Sequence, residues 1–205
     1  MTYNRLCAYT IDMLIVMLLT YLLANTYSLN PFLYDREDAY NNYKEVYDKI
    51  DFNGEPEETM KALNEMNEPL YNLERVQVYE LMWYVVLMIF YFVIFQTLNS
   101  GQTIGKKICR LKVVKKDNRE AGPFRLLLHS LMVGSSFYYG FNLITIINVI
   151  ALALANKEIY MPIYFIITFL GMALEVIYYI LVFASKDNRW LNDIVAGVKT
   201  IEAKK

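Results

Sequence analysis

The chain has 205 residues, 56% of them hydrophobic, with 20 Lys/Arg against 21 Asp/Glu and a mean hydropathy of +0.24. So apolar a composition excludes an ordinary soluble domain, and the apolar residues are clumped in runs near the 20 or so that cross a bilayer. The net charge of −1 is the sum of regions of opposite sign, so it excludes neither a membrane surface nor an ionic ligand.

The first run, Leu6–Thr26, has one arginine ahead of it, Asp12 inside it and no small-x-small cleavage site. We expect an uncleaved span rather than a signal peptide. A charged group at the centre of a membrane helix costs about 2.5–3.5 kcal/mol, so Asp12 needs a partner or a task. Arg5 lies seven residues earlier on the same helical face, about 10 Å nearer the inner interface. One reading makes Asp12 structural, in a neutral cluster with Arg5, Arg189 and Asp193 and with Arg125 as a further candidate. The other makes it a carboxylate that alternately holds a cation or a proton, which burial favours by raising proton affinity.

Residues 28–78 carry 12 acidic and 5 basic side chains. Tyr40, Tyr43, Tyr47 and Ile50 predict a helix near Asp35–Ile50. Pro56, Glu57 and Glu58 predict the start of a second helix, with a break at Pro69. This segment is expected to be an acidic extracellular helical insertion, either a solvated cap or a vestibule that gathers cations.

A second span is expected at Tyr79–Leu98. The loop 100–123 then holds Lys106, Lys107, Arg110, Lys112, Lys115, Lys116 and Arg119 against Asp117 and Glu120. A third span is expected at Leu126–Ala155. On that helix Ser135, Tyr138, Asn142 and Thr145 would share a polar stripe facing other helices or water. Arg125 and His129 would stand near its inner end, where the histidine is a hydrogen-bonding residue or a proton relay. The fourth span, Pro162–Ala184, contains Glu175, which could share one hydrated site with Asp12, using Asn142 or Thr145 as oxygen ligands. The tail 185–205 is basic. Charge therefore puts both termini and the 100–123 loop in the cytoplasm of a multi-pass cell-membrane protein. The fold expected is all-α, with four transmembrane helices in two parallel hairpin halves.

The segments "TIGKKICRLKVV" (103–114) and "WLNDIVAGVKTI" (190–201) echo one another, with apolar residues and Lys112/Lys199 in register. Each predicts a short amphipathic helix followed by a strand, and two such strands could pair beneath the membrane. Lys106 and Asp193 occupy equivalent positions, so an ion pair between the halves is plausible. Repeats about an axis along the membrane normal are a transporter design.

The blocks "RLCAYTID", "GQTIGKKICRLKVV" and "RWLNDIVAGVKTI", in that order, resemble the RDD family of integral membrane proteins, which is named for one arginine and two aspartates. The resemblance places these at Arg5, Asp12 and Asp193 and makes 1–205 a single membrane domain. Asn192 stands where many members have histidine. The resemblance implies exchange of Na⁺ or other monovalent cations for protons, or an accessory or resistance role without transport, in which the charges are structural.

Two cysteines, Cys7 and Cys109, and one histidine give no metal-ligand spacing. No nucleophile–base pair or phosphate loop is visible, so we expect neither an enzyme nor a cofactor. Expected partners are the bilayer, anionic headgroups at the basic loop, a second copy or another membrane protein, and not nucleic acid.

Overall fold

The computed structural model describes residues 2–132, 134–135, 140–184 and 189–203. Helix α1 (Thr2–Ala24) is followed by α2 (Arg36–Tyr47), α3 (Pro56–Glu65) and α4 (Asn67–Ile89). The predicted first acidic helix is thus present. The predicted break near Pro69 falls instead at Met66, because proline fits the first turn of α4, where its missing N–H would have no partner.

Among the described residues, three helical segments are long and apolar enough to cross a membrane: Tyr3–Ala24, Pro56–Leu98 and Lys157–Tyr178. Their outward faces carry Leu14, Leu18, Phe165, Phe169 and Val176, all more than half exposed. Apolar exposure on that scale suits lipid rather than water. Inside the bundle, Met13 and Val16 of α1 pack against Tyr84, Met88, Tyr91 and Phe92. Beyond α4 the chain widens into a π-helical turn over Phe90–Phe95 before the short α5 (Gln96–Leu98). The wider turn puts three consecutive side chains, Tyr91, Phe92 and Val93, on the buried side, which a regular α-helical turn cannot do.

The two echoing segments adopt one fold. Helix α6 (Ile104–Ile108) leads into strand β1 (Leu111–Lys115), and α10 (Leu191–Ala196) leads into β4 (Val198–Glu202). Thr103 and Trp190 cap them with closely similar backbone angles, −91°/176° and −86°/169°. The strands pair antiparallel with Val113 opposite Thr200, the residue that the sequence alignment sets it over. That register gives the two helix–strand blocks a local two-fold relation. Leu126 of α7 (Pro123–Leu131), Ala121 and Ala196 close the core over Val113 and Val198.

The expected third span is not one helix. Helix α7 ends at Leu131, strands β2 (Gly134–Ser135) and β3 (Gly140–Phe141) pair, and α8 starts only at Asn142 and runs to Leu154. The stretch "GSSFYYG" holds two glycines and two serines, residues whose backbone freedom and side-chain hydrogen bonding work against a helix interior. The polar stripe therefore has no single helix to lie on; Tyr138 and the side chains of Ser135 and Asn142 lie outside the described residues. Helix α9 (Lys157–Ala184) packs on α8 where Gly171 meets Ile144.

Helix α10 ends in Gly197, whose φ of +64° lies in the left-handed region, and Arg125 Nη1 donates to the carbonyls of Ala196 and Gly197 at 3.0 and 3.1 Å. A Cβ at 197 would sit 2.5 Å from that same nitrogen. Gly197→Ala should therefore cost about 1–2 kcal/mol from backbone strain alone, read as a lower midpoint in thermal unfolding. Pairing it with Arg125→Met should cost less than the sum of the two single changes.

Candidate functional site

The residues drawn together at the base of the bundle form two adjoining carboxylate nests. Asp12 is fully buried. Its Oδ1 accepts from the Tyr91 hydroxyl at 2.6 Å and from the Gly105 amide at 2.7 Å, and its Oδ2 accepts from the Thr103 hydroxyl. Lys106 Nζ stands 4.0 Å from Oδ2. Each donor follows from local structure. The π-turn swings Tyr91 inward, Thr103 is the N-cap of α6, and Gly105 supplies one of the free amides of that helix's first turn. Gly105 must be glycine: a Cβ there would lie 2.1 Å from the Ala8 carbonyl oxygen.

Asp193 is also fully buried, and Arg5 Nη2 donates to its Oδ2 at 2.6 Å. The Trp190 amide donates to the same oxygen at 3.2 Å, a capping arrangement. His129 Nε2 lies 3.3 Å from Oδ1, and the Arg5 guanidinium stacks 4.2 Å over the Trp190 ring. Burial raises the proton affinity of Asp193, but hydrogen bonds and charge from His129 and Arg5 outweigh it and hold the carboxyl below its ordinary value. Burial likewise pushes Lys106 below its ordinary value, against the opposite pull of Asp12.

Arg5, Asp12 and Asp193 thus meet as the sequence suggested, but the pairing differs from expectation. Arg5 neutralises Asp193, and Asp12 is held by hydroxyl and amide donors with Lys106 behind them. Lys106 has Asp12, not Asp193, as its salt-bridge partner, since the first turn of α6 points the ammonium back at α1. Arg125 reaches the end of α10 instead of Asp12. Arg189 is half-buried just ahead of α10. Tyr91, Thr103, Gly105 and Trp190 were not singled out as site residues from the sequence; the threonine before "IGKK" is the one legible cap.

Glu175 is not part of this cluster. It lines a separate cavity of about 240 Å³ between α4, α8 and α9, together with Glu74, Gln77, Thr145, Asn148 and Thr168. The slot follows α9 from Tyr164 to Glu175, about 16 Å along the axis. Glu74 hydrogen-bonds with Asn148 and Tyr164, and Tyr160 donates to Asn148 Oδ1 at 3.0 Å. Glu175 has no hydrogen-bond or ion-pair partner among the described residues. The expected shared site of Asp12 and Glu175 is therefore corrected: the π-turn and α6 wall Asp12 off at the base, and Glu175 faces the slot. Thr145 lies in the slot as an oxygen ligand could, whereas His129 belongs to the Asp193 nest. Glu74, the second acid of the slot, was hidden in the sequence among the charges of the acidic segment.

The RDD family model matches residues 2–197 of the chain, spanning both nests. The chain belongs to the RDD family. No curated protein and no solved structure matches it. The architecture described above, mostly helical with three helices long enough to span and the shorter apolar α8, is that of an RDD membrane protein.

Proposed function

We propose that this RDD protein exchanges monovalent cations for protons across the membrane through the carboxylates of the slot, while its motif charges are a structural latch. One observation carries the exchange reading: two acids on different helices, Glu74 and Glu175, share one partly open cavity of mixed polar and apolar lining. Carboxylate, amide and hydroxyl oxygens suit hard cations such as Na⁺, and a carboxylate without a partner inside the membrane is a functional group by default. The latch reading rests on Asp12, whose oxygens already accept from three short-range donors. A cation at Asp12 would have to displace them beside Lys106.

A second reading, a membrane scaffold or accessory protein without transport, is favoured by the closure of the two nests. They seat both helix–strand blocks on the spans and leave both aspartates fully buried. The two readings separate in reconstituted liposomes, where the scaffold moves no ions at all.

The proposed placement is in the cell membrane with both termini and the 100–123 loop in the cytoplasm, supported by the basic charge of those segments. The spans are α1, α4 with its π-turn and α9, with the 13-residue α8, short of a full crossing by itself, as the fourth membrane segment. The half-exposed Ile108, Ile194 and Val195 of α6 and α10 suit an inner membrane surface. Single cysteines placed at 35–68 in a cysteine-free background should then react with impermeant maleimide on intact cells. Reaction with permeant reagent alone would reverse the orientation.

A further inference from the structure

Between the two nests lies a small cavity of about 40 Å³ whose polar lining includes Arg5, Lys106, His129, Trp190 and Asn192. Two polar atoms of this lining, Trp190 Nε1 and Asn192 Oδ1, are buried without a hydrogen-bond partner, in residues only 6% and 3% exposed. Orphaned buried groups of this kind ask for an explanation.

The histidine decides what Asn192 offers. Asn192 Nδ2 lies 2.9 Å from His129 Nε2, which in turn lies 3.3 Å from Asp193 Oδ1. If Nε2 is bare it accepts from the amide but faces a carboxylate oxygen with no proton between them. If Nε2 carries the proton it donates to Asp193, and the Asn192 amide must turn over so that its oxygen faces the imidazole. In the second arrangement the single Nε2 proton is shared between Asp193 Oδ1 and the Asn192 oxygen, and the Asn192 NH₂ is aimed at the position that otherwise holds the orphaned oxygen.

The cavity then presents the Trp190 and Asn192 N–H groups and the Lys106 ammonium as donors, beside the hydroxyl side chains of Tyr9, Tyr178 and Thr200. That ammonium has Thr103 Oγ1 at 3.5 Å and Asp12 at 4.0 Å, both weak partners for a buried charge. We propose that this cavity binds a small monovalent anion of halide size. Arg5 and Lys106 exclude a cation. The volume has room for about three waters, at the roughly 10–15 Å³ of such space that each needs, which suits a small ion. The site does not depend on the exchange reading.

The test uses the purified full-length protein in detergent. Replacing sodium gluconate with sodium chloride at fixed ionic strength should raise the unfolding temperature along a saturating curve. Lys106→Met and Trp190→Phe should each abolish that rise. Should Lys106→Met not fold, Trp190→Phe decides alone, since it keeps the ring over Arg5 and removes only the N–H. Equal unfolding temperatures in the two salts, or a rise that persists in Trp190→Phe, would overturn the proposal. Bromide-soaked crystals should show an anomalous peak between Lys106 and Trp190; ordered water there without such a peak would equally overturn it.

Discussion

Gly105→Ala should all but abolish folded protein. The added methyl would meet the Ala8 carbonyl oxygen at 2.1 Å and Asp12 Oδ1 at 2.8 Å, and both are held by helix α1, so neither can yield cheaply. Overpacking of this kind costs about 1–3 kcal/mol. Pushing α6 away also breaks the Gly105 amide bond to a buried carboxylate, worth about 1.5–3 kcal/mol. Together these approach a large part of the 5–15 kcal/mol that holds a typical domain. Gly122→Ala, where a Cβ would meet nothing within 4 Å, is the matched control and should accumulate normally. The measurement is the monodisperse fraction after detergent extraction, compared at equal expression.

Asp193→Ala should be nearly as damaging, for an electrostatic reason. It strands the Arg5 guanidinium in a site where the side chain is 4% exposed, and leaving one partner of a buried pair uncompensated costs about 3–5 kcal/mol. It also removes the acceptor for the Trp190 amide and so the cap of α10. Asp193→Asn keeps the shape and one acceptor and should lose less. The diagnostic variant is the double change Arg5→Met with Asp193→Leu, since replacing a buried ion pair by apolar groups is often neutral. Recovery of stability in the double variant, beyond the sum of the singles, would identify the pair as a mutual neutralisation. Additive losses would mean that each residue serves something else.

The sequence made some of this legible and hid the rest for physical reasons. The spans announce themselves because lipid tolerates little but apolar side chains, and the paired strands because β-branched alternation survives in five-residue segments. The internal repeat even contained the strand register, Val113 against Thr200. The meeting of Arg5, Asp12 and Asp193 followed from the cost of a buried charge, which demands a partner nearby. Who pairs with whom did not follow. It depends on a π-turn that rotates Tyr91 inward and on the free amides of a five-residue helix, and neither leaves a composition signal. The interruption of the third span was visible in "GSSFYYG" but outweighed by the apolar residues around it. Glu74 escaped notice because one acid among twelve in residues 28–78 looks like surface. Its distinction is position, one face of α4 with Gln77 and Leu81, opposite Glu175.

The division of labour between latch and slot is tested most directly by proton flux driven by a sodium gradient in liposomes. Equal amounts of folded parent, Glu175→Gln, Glu74→Gln and Asp12→Asn would be reconstituted and compared. Loss of the slot carboxylate should cut the flux at least tenfold in Glu175→Gln and lower it clearly in Glu74→Gln. Folded Asp12→Asn, though obtained in poor yield, should carry flux within a few-fold of the parent. Full flux in Glu175→Gln together with none in folded Asp12→Asn would contradict the account and return the ion to the motif aspartate.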